Sequence, residues 1–145
     1  MPFALEQLTQ GLSVAANINP ATLNNSSANS GNGVDMKLFR RLLAIVNIGA
    51  NSGSLVAKLQ GASSSGGSFT DITGAAATAV TAASKVLTIE VRDDQVGDAQ
   101  RFVRLLLTEG NSANCVCGAT VLGSEAAFKP AKANDVAAVT QRLVV

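Results

Sequence analysis

The sequence predicts an all-β domain, an antiparallel β-sandwich or jelly-roll-like barrel with extended N- and C-terminal arms. Three observations predict it. Short apolar runs such as Arg101-Phe102-Val103-Arg104-Leu105-Leu106-Leu107-Thr108 are separated by Gly, Ser, Asn and Thr clusters rather than by amphipathic helices. Several runs alternate apolar and polar residues with the period of two that a half-buried strand requires. A chain of 145 residues is long enough to bury one aliphatic core without disulfides or a metal.

The elements follow in order. Residues 1–36 read as an N-terminal arm, with Phe3, Leu5 and Leu8 as its apolar contacts, followed by an Asn/Ser/Gly-rich loop over 24–33. Residues 37–123 read as the β-sandwich core. Within it, residues 39–48 predict a central strand. Residues 55–60 predict a half-exposed one, with Leu55, Ala57 and Leu59 on one face and Lys58 and Gln60 on the other. Phe69-Thr70-Asp71-Ile72 predicts a short strand, and the small residues of 74–84 a loop or weak strand. Residues 85–92 alternate strictly, with Leu87, Ile89 and Val91 inward and Thr88, Glu90 and Arg92 outward. In the run 101–108, Val103, Leu105 and Leu107 oppose Phe102, Arg104 and Leu106. The turn at 109–114 leads into Cys115-Val116-Cys117, so these two strands read as a hairpin. Phe39, Phe69 and Phe102 are the expected large core anchors. Residues 124–145 read as a C-terminal arm or edge strand, carrying Phe128 and Leu143. So apolar an end predicts either an edge strand on its own sheet or strand addition to a partner.

The composition excludes most chemistry. There is no His, Trp or Tyr and there are only two Cys, so a Ser-His-Asp triad cannot be built and the chain is expected not to be an enzyme. No cofactor or metal site is predicted. Asp93, Asp94 and Asp98 do not have EF-hand spacing and suit a plain turn, and Glu90 with Asp93 is no more than a common pairing near a strand end. The Gly-rich stretches 49–53 and 61–67 lack the strand-loop-helix context of a phosphate cradle. A net charge of +1 without a basic stripe argues against nucleic acid. Without a basic, apolar leader or roughly 18 consecutive apolar residues, the expectation is a soluble, unprocessed chain with no membrane partner. Cys115 and Cys117, two apart on a strand, are expected to be reduced, buried thiols. Arg40, Arg41, Arg101 and Arg104 fit either ion pairs with Glu90, Glu109 or the Asp93 turn, or the lining of a subunit contact.

The ordered set Lys58-Leu59-Gln60, Ser68-Phe69-Thr70-Asp71-Ile72, Thr88-Ile89-Glu90-Val91 and Gln100-Arg101-Phe102-Val103-Arg104 resembles the decoration, or cement, proteins of tailed-bacteriophage heads. The likeness spans roughly residues 36–122. In that group a strand ending in K-L-Q leads through a polar turn to [ST]-[FW]-T-D-I, and a later strand carries R-[FY]-[VI]-R. This chain departs by carrying Phe69 where a Trp is common and Gly/Ser where acidic turn residues are common.

The resemblance implies a structural virion protein on the outer surface of a capsid, whose partners are the major capsid protein and copies of itself, as dimer or trimer. Phe3, Leu5, Leu8, Phe128 and Leu143 are the expected partner contacts. The alternative is a β-sandwich recognition module for a carbohydrate or cell-surface ligand, although such sites usually present Trp or Tyr.

Overall fold

The structure, a computed structural model, describes residues 7–24 and 27–144. Among the described residues the strands are β1 (Leu12–Asn24), β2 (Ala28–Ser30), β3 (Val34–Asp35), β4 (Phe39–Asn51), β5 (Leu55–Ala62), β6 (Thr70–Ala76), β7 (Lys85–Arg92), β8 (Phe102–Glu109) and β9 (Asn114–Ala126). Side-chain alternation sets which face each strand buries. Along β8, Val103, Leu105 and Leu107 are at most 1% exposed while Phe102, Arg104 and Leu106 lie on the outer face. β7 obeys the same rule, with Val91 buried, Leu87 and Ile89 packed against the core and Thr88, Glu90 and Arg92 exposed.

Two sheets enclose the core. One runs β1-β9-β4-β7; in the other, β2-β8-β5-β6, β3 also pairs with β8, so β2 and β3 form one interrupted edge. The pairs are nested: β1 with β9, β2/β3 with β8, β4 with β7, and β5 with β6, all antiparallel. A long hairpin rolled so that successive pairs alternate between sheets is a jelly roll, and the all-β expectation holds. Between the sheets lies an aliphatic core led by Leu42, Val46, Leu55, Leu59, Val103, Leu105 and Leu107.

Four expectations are corrected. First, Leu12–Asn24 is a sheet strand, not part of an arm or loop. Its alternation is masked by register shifts at Val14/Ala16 and Ile18/Ala21, where Asn19 and Pro20 bulge outward, a position at which proline costs a sheet little. Second, β8 and β9 are not a hairpin, because β8 lies in one sheet and β9 in the other, and the loop between them bridges the sandwich.

Third, Phe39 is a core anchor at 2% exposure, but Phe69 and Phe102 are half-buried on the outer face. Val103 points inward, so its neighbour Phe102 must point out. Fourth, β9 continues to Ala126, past the expected core boundary at residue 123; of the two readings given for 124–145, arm or edge strand, the described residues after it form a 3-10 turn (Ala131–Asn134) and a non-strand segment. Among the described residues no helix is long and apolar enough to cross a membrane.

The register places the loops. Arg41 opposes both Ser124 and Arg92, and Leu12 opposes Ser124, so the start of β1, the start of β4 and the ends of β7 and β9 share one end of the barrel. Both terminal segments leave the barrel there.

Candidate functional site

The outer face of the β5-β6-β8 sheet gathers the polar residues of the motifs quoted above. Lys58 Nζ and Gln60 Nε2 each donate to the Asp71 carboxylate at 2.8 Å. Gln60 Oε1 in turn accepts both Arg104 Nε (3.1 Å) and Nη2 (2.9 Å). The Arg104 guanidinium carbon lies 4.2 Å from the Phe69 ring centroid, a cation–π stack that holds the β5–β6 loop against the sheet. Gln100 Nε2 donates to Thr70 Oγ1 at 3.1 Å, and the Gln100 side chain fills the space that a Cβ on Gly61 would need. The hydrogen bond from Lys58, then that from Gln60, holds the Asp71 carboxyl below its usual range. Because these groups bond one another, the network fastens a loop to the sheet.

The other arginines divide similarly. Arg41 bridges Glu90 (3.2 Å) and Glu125 (3.1 Å), the former as expected. Arg101 forks onto Asp35, with Nε at 2.8 Å, and the hydrogen bond lowers the Asp35 pKa. Arg40 is exposed. Glu109, anticipated as a surface partner for an arginine, is fully buried and accepts the amides of Ser54 (3.2 Å) and Asn111 (2.8 Å), lacing two loops together.

The residues expected to touch partners lie on the terminal segments. Leu8, on a single helical turn (Leu8–Gly11) beside β1, is 78% exposed, Phe128 beyond β9 is 73% exposed, and Leu143 is 79% exposed. Phe3 and Leu5 lie outside the described residues. Singly exposed apolar residues are ordinary, but these three flank one end of one barrel.

What ties the C-terminal segment down is Asp135. Its Oδ1 accepts the Ser13 hydroxyl (3.1 Å) and the Val14 amide (2.9 Å), and Arg142 donates to both carboxylate oxygens at 2.6 to 2.9 Å. Burial pushes the Asp135 pKa up, but hydrogen bonds from Arg142, Val14 and Ser13 outweigh it and the net direction is down. Sequence reasoning missed this carboxylate and its Ser13 partner, because 122 residues separate them and neither has a periodic signature.

A shallow groove crosses the outer face of the other sheet. It is lined by Asn17, Pro20, Asn47, Gly49, Gly118 and Thr120. A Cβ on Gly118 would lie 3.0 Å from the Pro20 backbone, so a side chain there would press on β1. Cys115 and Cys117, on β9 beside Gly118, are free and buried. Desolvation raises both thiols, Cys117 to about 12, so neither is a nucleophile at neutral pH. Asp93–Gln95 forms a 3-10 turn, closed by the Arg92 amide donating to Gln95 Oε1 at 3.0 Å. Among the described residues no cluster of three or more His, Cys, Asp or Glu has a metal-binding arrangement.

No protein-family model and no curated protein matches the chain. Solved structures share its fold at low identity. The PBSX exported protein XepA matches at 17% identity and a TM-score of 0.55, covering 83% of this chain and 39% of that one. PirA matches at 14% identity and a TM-score of 0.50, covering 71% of this chain and 91% of that one. The chain thus spans well under half of the XepA chain. At these identities the likeness is one of fold.

Proposed function

We propose that this chain is a structural virion protein that decorates a tailed-bacteriophage head and bridges neighbouring major capsid subunits from the outer surface. The carrying observation is the exposure of Leu8, Phe128 and Leu143 on the two terminal segments at one end of the two-sheet jelly roll. The barrel supplies rigidity and the terminal segments supply adhesive contacts. Small apolar contacts repeated over a lattice stabilise a shell through effective concentration, without high affinity at any single site. The resemblance over residues 36–122 supports this role. The residues that carry it, Lys58, Gln60, Phe69, Asp71 and Arg104, form the network that fastens the β5–β6 loop to its sheet.

Co-sedimentation with undecorated tailed-phage heads tests the proposal. Saturable binding at a copy number that fits the shell symmetry is the expected result, and a protein that stays in the supernatant with every head tried contradicts it.

A second reading, a β-sandwich recognition module for a carbohydrate, is favoured by one observation: the groove offers the amides of Asn17 and Asn47 and the hydroxyl of Thr120 in one place. The chain has no Trp or Tyr to stack beneath a sugar ring. Specific retention on a glycan array, lost in Asn47→Ala, is the outcome that would select it.

A further inference from the structure

The sequence holds a single Asn-Gly pair, Asn32-Gly33, and the fold sets it in the gap of the interrupted β2/β3 edge. β2 pairs with β8 in a regular register, from Ala28 opposite Thr108 to Ser30 opposite Leu106, and the Gly31 N–H extends it by donating to the Leu105 carbonyl at 3.0 Å. The next rung is Val34 opposite Val103. Asn32 and Gly33 together therefore oppose Arg104, two residues against one, which is a β-bulge. The edge is clamped again beyond it, where the Met36 N–H donates to the Arg101 carbonyl at 2.9 Å.

A bulge releases groups that a ladder would hold. Asn32 is exposed, and among the described residues neither its carboxamide nor the Gly33 N–H has a hydrogen-bond partner. An asparagine carboxamide is electrophilic at Cγ, and the next backbone nitrogen reaches it by closing a five-membered ring. Glycine, without a Cβ, leaves that approach unhindered. Asn51-Ser52 is the contrast within the chain. The Asn51 side chain donates to the Val80 carbonyl at 3.0 Å and accepts the Gly53 amide at 3.0 Å, while the Ser52 N–H donates to the Asn114 carbonyl at 2.9 Å.

We propose that Asn32-Gly33 is a self-modification site, converting to aspartate and isoaspartate in the folded protein and reshaping the bulge as it does so. The Gly33 nitrogen loses its proton to water or hydroxide and bonds Asn32 Cγ; the bond from Cγ to the amide nitrogen breaks, and ammonia leaves a succinimide behind. Water then opens the ring, so that water is consumed, ammonia is released and nothing is oxidised or reduced. Opening at Cγ gives aspartate. Opening at the main-chain carbonyl gives isoaspartate, whose backbone runs through Cβ and is longer by a methylene. Either product raises Asp+Glu from 10 to 11 against 11 Lys+Arg, so the net charge falls from +1 to 0. The longer backbone falls where there is little room, since a Cβ on Gly33 would lie 3.0 Å from Phe69 Cζ, and that ring carries the Arg104 stack. This rests on local geometry and is independent of binding to heads.

Incubation of the full chain in heavy-oxygen water at mildly alkaline pH, followed by peptide mapping, is the test. Heavy oxygen is expected at position 32, mostly as isoaspartate, and not at Asn51; equal uptake at the two overturns the role given to the bulge. The rate at Asn32 in the native chain should lie within about tenfold of that in the urea-unfolded chain, because no opening of the fold precedes the reaction, and stronger protection overturns the proposal. Asn32→Gln, a change at an exposed side chain, should suppress the neutral form on ion exchange, and its persistence overturns the assignment. The isoaspartate form purified from aged protein should unfold at a lower urea midpoint than Asn32→Asp; equal midpoints overturn the effect on the bulge.

Discussion

The Phe39 ring lies across the backbone of Gly123, so close that a Cβ at position 123 would sit 2.6 Å from two of its ring carbons. Phe39 is the only one of the three expected aromatic anchors in the core, and it sits at the end of the barrel from which both termini leave. Its packing depends on the missing side chain opposite. Gly123→Ala should therefore destabilise the fold by about 1–3 kcal/mol, the usual cost of overpacking. Urea unfolding should show a lower midpoint with an unchanged slope.

The Lys58-Asp71-Gln60-Arg104 network should behave as a fastener for the β5–β6 loop. Lys58 and Asp71 face solvent on their outer side, so Asp71→Ala should move the urea midpoint only slightly. Arg104→Ala removes two hydrogen bonds to buried Gln60 and the stack on Phe69, and should cost more, about 1–2 kcal/mol. A double-mutant cycle between Arg104 and Phe69 measures the stack itself; zero coupling energy would show that the loop is held by something else.

Acid should loosen the C-terminal strap. Asp135, Asp35 and Asp71 all have folded-state pKa values below the ordinary 3.8. Groups depressed in this way contribute stability that is present above the unfolded pKa and is lost as pH falls through the folded one. The thermal midpoint should be flat near neutrality and fall below about pH 4. In Asp135→Asn the fall should be shallower and the neutral-pH midpoint lower.

The two thiols should be silent in the native state. With Cys117 pushed up to about 12 and both residues buried, neither should react with a disulfide reagent at pH 8 until the chain unfolds. Two equivalents released on unfolding is the expected titration, and immediate native-state release would contradict the placement of β9.

The sequence made the sheet faces legible wherever one strand alternated cleanly. Leu55, Ala57, Leu59, Val103, Leu105, Leu107 and Val91 are inside as the period of two requires. It concealed β1, because a strand broken by two bulges and a proline presents no clean period. It also concealed the crossing from β8 to β9, since a short polar turn looks the same whether it joins neighbours or bridges two sheets. The candidate site divides in the same way. The exposure of Leu8, Phe128 and Leu143 accords with apolar residues in terminal segments that offer few strand neighbours. The bond from Asp135 to Ser13 and Val14, by contrast, exists only once the two ends of the chain meet.

The central claim is that terminal apolar side chains bind a capsid lattice while the barrel merely presents them. The most direct measurement is the saturation copy number on undecorated heads of the wild-type chain beside Leu8→Ser/Phe128→Ser/Leu143→Ser. These positions are 73–79% exposed, so the variant should unfold within a few degrees of wild type yet lose nearly all head binding. A variant that saturates the heads at the wild-type copy number and affinity would contradict the account.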